Sequence, residues 1–201
     1  MSRYFSKFPK LVYTKDNSSK IITNLVTRIA TVKGTLDNIS LFYEYQIQEG
    51  DTPEIVASKY YNDAELHWVV LIFNDIFDPF YDWPMTYQQF QTYITDKYGS
   101  ISSAMTTNHH YEKIIEKIDS LSGEKTRDVF IIDYDSYMTL VPNTQTKVFD
   151  NGAKVTVSIS KREVDNYMYE EELNESKRKI KLIKPELIPD IKNQFQFLMG
   201  Q

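Results

Sequence analysis

Tyr43, Tyr45 and Ile47 alternate with Glu44, Gln46 and Gln48, the two-residue period of a half-buried strand. Glu49-Gly50-Asp51 supplies a turn after it, and Gly50 permits a tight strand-to-helix reversal. Thr52-Pro53 marks a helix start. Threonine is a good N-cap, and proline at the first helical position gives up no hydrogen bond. That helix is expected to run to about Tyr60, with Ile55 and Val56 inward, and to break at Asn62-Asp63. Asp63 can cap a second helix, on which Leu66, Val69, Val70 and Phe73 fall at helical spacing. Asn74-Asp75 ends it. An irregular aromatic piece, Phe80-Tyr81-Asp82-Trp83-Pro84, follows Asp78-Pro79.

The flanks are less regular. Residues 1–40 carry scattered aromatics (Tyr4, Phe5, Phe8, Tyr13) and a polar break from Lys15 to Lys20. The stretch Ile21 to Val32 fits both a helical face (Ile22, Leu25, Val26, Ile29) and alternation with Thr23, Thr27 and Thr31. Its β-branched excess favours extended structure. Too few apolar residues are present for a separate core, so this segment reads as an arm that docks elsewhere. Downstream, Thr86 and Gln89 form a possible capping box before Phe90, Tyr93, Ile94 and Tyr98, and Gly99 stops that helix. Ser100 to Asn108 reads as a polar linker. Glu112 to Leu121 reads as a short helix with Ile114, Ile115, Ile118 and Leu121 on one side, closed by Ser122-Gly123.

Val129 to Ile132 is strand-like, and Asp150-Asn151-Gly152 between Val148-Phe149 and the alternating Val155, Val157 and Ile159 is a strong hairpin signal. Ser160 and Glu163 have capping-box spacing, a charged stretch runs from Tyr169 to Lys179, and Ile180 to Ile183 is strand-like. A last helix carries Leu187, Ile191, Phe195 and Leu198 on one stripe, with Pro185 and Pro189 near its start and Gly200 after its end. A lone helix of this length is marginal in water. The stripe must therefore bury itself, either on the chain's own hairpin around Val155 to Ile159 or in a neighbouring subunit. The expected fold class is α+β. A βαα module at 41–84 is embedded in an irregular chain, with an N-terminal arm at 1–40, a helical segment at 85–123, a β-hairpin region at 124–160 and a C-terminal helical arm at 161–201.

Composition narrows the function. The 201 residues are 41% apolar and 25% charged, which are globular proportions. With 28 acids, 23 bases and a net charge of −5, the chain lacks the basic excess of a general nucleic-acid binder. It has no cysteine, which excludes disulfides, thiolate metal sites and a cysteine nucleophile, and fits a reducing compartment. The N-terminus does not read as a signal peptide. The longest apolar run, Trp68 to Phe73, is far short of the ~20 residues that cross a bilayer, so no membrane partner is expected. The 15 tyrosines and 11 phenylalanines suit either protein interfaces or an aromatic core. Trp83, between two prolines, is read mainly as a cover for the adjacent helix, with a partner anchor as the alternative.

Catalytic chemistry is not apparent. His67 lies four residues after Asp63, an ordinary surface pair. His109-His110 has Glu112 nearby but no second ligand at the spacing of a zinc-protease helix. Glu170-Glu171-Glu172 fans around a helix and reads as a solvated acidic patch. Gly34 and Gly50 stand alone, so no phosphate loop is formed, and no Gly-x-Ser-x-Gly element is present. No enzyme activity, cofactor, metal or small-molecule ligand is expected.

Two resemblances follow from these residues. The 43–79 unit, with Gly50, Asp51, Thr52 and Pro53 at its turn and first helix, Asn74 after the second, and Asp78-Pro79, resembles the LysM domain, a short βααβ module. Most LysM domains bind N-acetylglucosamine polymers, so peptidoglycan or chitin binding is the alternative function. The sequence departs from that pattern where Phe80 to Pro84 replaces the usual Gly and Leu before the closing strand, close to the sugar groove. Over a longer span, Leu66-His67-Trp68, Asn74-Asp75-Ile76, Asp78 to Pro84, Tyr98-Gly99, His109-His110-Tyr111-Glu112 and Tyr169 to Pro185 resemble the LysM-containing baseplate wedge proteins of T-even-type contractile-tailed phages. This likeness runs from about Tyr4 to Phe197. It implies a structural virion protein, assembled in the host cytoplasm into the tail baseplate. There it would join a wedge late, contact inner wedge proteins and help wedges associate around the hub of a six-fold assembly. Candidate partner-facing residues are Tyr81, Trp83, Tyr169, Leu187, Ile191, Phe195 and Leu198.

Overall fold

The computed structural model describes residues 8–15, 18–24, 39–149 and 152–199. Tyr4, Phe5, Leu25, Val26, Ile29, Gly34, Asp150, Asn151 and Gly200, which the sequence reading used, lie outside them. The chain divides into two compact units, residues 1–86 with 174–201 and residues 87–173, so the second is inserted into the sequence of the first.

The first unit opens with an antiparallel hairpin, β1 (Lys10–Lys15) and β2 (Ser18–Thr23), pairing Leu11 with Ile22 and Val12 with Ile21. Extended structure thus prevails as far as Thr23. Next come β3 (Phe42–Gln46), α1 (Pro53–Tyr61), a single 3-10 turn (Ala64–Leu66) and α2 (His67–Ile72). After the insertion, β8 (Lys179–Ile183) pairs antiparallel with β3, Phe42 opposite Ile183 and Gln46 opposite Lys179. A 3-10 turn (Pro185–Leu187) leads into the last helix, Ile188–Leu198. The core of this unit joins Phe42, Ile47, Val56, Leu66, Val69, Val70, Trp83, Leu182 and Ile188. Val56 and Ala57 are fully buried while Ile55 is exposed, contrary to the expected inward Ile55. The face of α1 turned inward is Pro53, Val56, Ala57 and Tyr60, the i, i+3, i+4, i+7 set, and Ile55 lies off it.

The second unit contains α3 (Tyr87–Tyr98), α4 (Ile101–Thr106), β4 (Asn108–Asp119), β5 (Lys125–Ile132), α5 (Tyr134–Thr139), β6 (Asn143–Val148), β7 (Lys154–Asp165) and the greater part of α6 (Asn166–Ser176). Its antiparallel sheet has the order β5-β4-β7-β6. The strands on either side of the expected turn pair as β6–β7, and Gly152 occupies positive φ.

Three expectations are corrected here. Glu112 to Leu121 is not a helix but falls in and just after β4, a strand paired on both sides. The spacing of Ile114 and Ile118 satisfies both periods, and their β-branched side chains settle in a sheet when two partner strands are available. Ser160 and Glu163 do not cap a helix; they lie within β7, opposite Ile114 and Tyr111. The linker 100–108 holds α4, whose N-cap Ser100 accepts from the Ser103 N–H at 3.0 Å. The segment 85–123 is therefore helical only in its first half.

Candidate functional site

The turn before α1 is built around one carboxylate. Asp51 is buried, accepts from Tyr45 Oη at 2.8 Å and the Gln48 N–H at 3.2 Å, and pairs with Lys59. Burial acts to raise its pKa, but the hydrogen bonds from Lys59 and Tyr45 outweigh it and hold the group below the usual carboxylate range. Tyr45 is pushed up to about 12, by burial first and by its hydrogen bond to Asp51 second. Gly50 sits at φ +81°, Thr52 Oγ1 accepts from the Ile55 N–H at 3.4 Å, and Pro53 occupies the first turn. These residues make a rigid corner, each using its polar atoms internally.

Asn74 works the same way across the chain. Its Nδ2 donates to the carbonyls of Val70 and Lys181, both at 2.8 Å, and its Oδ1 accepts from the Lys181 N–H at 2.8 Å. One side chain thereby fastens the end of α2 to β8. Asp78 Oδ1 accepts from the Phe80 N–H, and Asp82 Oδ2 accepts from the N–H groups of Phe77 and Asp78, so the loop through Pro79 is fixed by its own carboxylates.

The candidate interface residues separate. Trp83 is buried and donates from Nε1 to the Asp51 carbonyl at 2.8 Å, so it covers the core and is not an exposed anchor. Tyr81 is exposed, together with Phe77 and Phe80. Leu187 and Ile191 pack on the core of the first unit, and Phe195 is buried against Phe8, Trp68 and Met199. Leu198 is exposed. The terminal helix thus packs in part within the first unit, and Ile188 and Met199 take buried places that the four-residue stripe did not include. Tyr169 stacks on His109, ring centroids 3.8 Å apart.

The second unit carries two charge networks that spacing alone did not reveal. Glu112 is buried, bonded by Arg162 Nε and Nη2 at 2.9 and 2.7 Å, and lies 3.1 Å from His110 Nε2. Arg162 also reaches Glu172. Burial acts to raise the Glu112 pKa, yet the bonds from Arg162 and His110 lower it overall. Glu170 is buried as well, correcting its expected place in a solvated patch. It accepts from Tyr93 and Tyr98 at 3.0 and 2.8 Å and pairs with Lys97. Its pKa is again lowered, the lysine and tyrosine bonds exceeding the burial effect, and Lys97 is raised chiefly by its bond to Glu170. The sequence clue lay in the lysine and tyrosines of α3, Tyr93, Lys97 and Tyr98, at spacings of four and one.

Asp51, Glu112 and Glu170 are each held by several donors within the chain. Among the described residues no group of three or more His, Asp or Glu side chains could hold a metal ion, and no helix is long and apolar enough to cross a membrane. Part of the exposed surface is apolar. Leu11, Val12, Tyr13, Ile21 and Ile22 are exposed on the β1–β2 hairpin, and Val129, Phe130 and Ile131 on β5, an outer strand of its sheet.

The family described as Base plate wedge protein 53 matches the chain over residues 10–198. A curated relative, the baseplate wedge protein gp53 of Enterobacteria phage T4, is 27% identical over 94 residues, 47% of this chain. The aligned stretch spans 43% of that relative's own length, less than half of it.

Proposed function

The chain belongs to the Base plate wedge protein 53 family, and on that premise we propose that it is a structural component of a phage tail baseplate wedge, contacting inner wedge proteins and helping adjacent wedges join around the hub. The observation that carries this reading is the extent of the family match, from the first described strand to the last helix. The internally bonded carboxylates and the exposed apolar hairpin support it, because they suit a part that works through contacts. Its place would be the six-fold baseplate of the virion, reached by assembly in the host cytoplasm. Mixing purified protein with preformed wedge intermediates and sedimenting them tests the reading. The expected result is co-sedimentation followed by wedge closure. Wedges that close equally well without the chain would overturn it.

In this reading the strand, two helices and returning strand of the first unit form a LysM-like module whose closing strand, β8, comes from beyond the inserted unit. No glycan affinity is expected. The polar atoms of Asp51 and Asn74 are already used within the module, and Trp83 is buried beneath it. Calorimetric titration with chito-oligosaccharides should give no heat above dilution, and micromolar binding would promote the glycan-binding alternative.

A further inference from the structure

The β1–β2 hairpin is a physical anomaly. Two-stranded hairpins are marginal in water without a covered face. Here Val12 is 71% and Ile21 72% exposed, and Leu11, Tyr13 and Ile22 are exposed beside them. The hairpin is tethered by Phe8, buried against Phe195 and Met199, so its base is held while its faces are left open. It is also basic. Lys10, Lys15 and Lys20 belong to it, and residues 1–40 carry seven bases and two acids. The rest of the chain has 16 bases and 26 acids. The described hairpin thus sets three exposed lysines beside its exposed aliphatic side chains, in a chain whose remaining sequence is acidic.

The body offers a match. The loop from Asp75 to Asp82 exposes Phe77, Phe80 (88% exposed) and Tyr81, interleaved with exposed Asp75, Asp78 and Asp82. It is held in shape by the Asp78 and Asp82 backbone bonds and by Lys177, which donates to the Tyr81 carbonyl. Aromatic faces suit aliphatic side chains and lysine ammonium groups alike, and a loop fixed beforehand loses little entropy on docking. Both hairpin and loop expose their apolar side chains among the described residues.

We propose that the hairpin of one copy docks on the Asp75–Asp82 loop of a second copy. The contact is head-to-tail: each chain gives a hairpin to one neighbour and a loop to the other, the kind of interface that closes into a ring or runs into a filament. The proposal deepens the wedge-joining reading, since it supplies a direct link between copies in adjacent wedges.

Sedimentation velocity on the full chain over a concentration series tests it. Self-association is expected, weakening at least about tenfold between ~0.05 and ~0.5 M salt as the charges are screened. Two variants identify the surfaces: Lys10→Glu/Lys15→Glu/Lys20→Glu on the hairpin and Phe80→Ser/Tyr81→Ser on the loop. All five positions are exposed, so circular dichroism should report unchanged folds. Each variant alone is expected to be monomeric, and their equimolar mixture to form a dimer, because one retains the loop and the other the hairpin. A wild-type chain that stays monomeric at every concentration overturns the proposal, as does a loop variant that associates like wild type or a mixture that does not associate. A monomeric chain that still joins wedge intermediates would overturn this contact and leave the wedge reading standing.

Discussion

Asp51 in the first unit and Glu170 in the second are buried alike, and each gathers tyrosine hydroxyl and lysine donors. Their surroundings differ. Asp51 sits beside a continuous apolar cluster in which Val56, Val69, Val70 and Leu182 are essentially inaccessible to solvent. The second unit buries Phe90, Ile94, Ala104, Ile114 and Val164, and among these it also buries Glu112, Asn166 and Glu170. In the first unit the carboxylate trims a corner that hydrophobic burial already holds. In the second, charge-assisted hydrogen bonds take over part of the work of fixing the helices and strands. The lesson is that two units of one chain can carry similar ionic motifs with unequal dependence on them.

The largest expected effect falls on the apolar unit. Leu182→Ala should cost about 2–5 kcal/mol through lost burial and the cavity left behind, read as a shift in denaturant midpoint. Trp68 and Trp83 both belong to the first unit, so tryptophan emission reports it selectively. A loss below about 1 kcal/mol would erase the contrast. Next, Glu170→Gln should cost about 2 kcal/mol, because two tyrosines and Lys97 lose a charged acceptor, while the exposed Lys97 side softens the penalty. This should appear in the far-ultraviolet dichroism melt with tryptophan emission little changed. The neighbouring exposed Glu171→Gln should stay within about 0.5 kcal/mol and serves as the control.

A smaller effect is expected at Asn174, which accepts from the Met85 N–H at 2.7 Å and donates to the Met85 carbonyl at 3.2 Å. Asn174→Ala should cost about 1–2 kcal/mol, seen as faster hydrogen exchange at Met85.

Acid sharpens the comparison most finely. The folded pKa values of Asp51, Glu112 and Glu170 lie below their ordinary values. Each therefore contributes stability that is present above the ordinary carboxylate range and is lost as pH falls through the lowered folded value. Two of the three lie in the second unit. On acidification the dichroism signal should decline before tryptophan emission moves, and coincident transitions would contradict unequal dependence.

The legible parts of this chain were those governed by neighbours in sequence. Thr52 with Pro53 announces a helix start and Asp63 caps the 3-10 turn that leads into the next helix, and the alternation on either side of residues 149–153 foretells the β6–β7 pairing. What escaped depended on distant partners. Ile114 and Ile118 fit helix and strand equally until β5 and β7 are placed beside them. Glu170 reads as solvated until Lys97 and Tyr98 close over it. The turn residues Gly50, Asp51, Thr52 and Pro53 were legible as a corner and Trp83 as a cover, whereas the bond from Trp83 to the Asp51 carbonyl required the folded loop.

The pairing of β3 with β8 has a consequence in time. During synthesis Phe42 emerges long before its partner Ile183, and every residue of the inserted unit is made in between. Contacts so distant in sequence carry a loop-closure cost that slows folding. The inserted unit, being contiguous, can complete its own sheet first, as domains generally do when the N-terminal parts appear on the ribosome in turn. Once Phe90 meets Tyr167 and Tyr93 meets Glu170, the chain's way in and way out are held together. The long loop then behaves as a short one. The second unit would thus act as an internal folding aid, delivering β8 to a strand that has been waiting for it since early in translation.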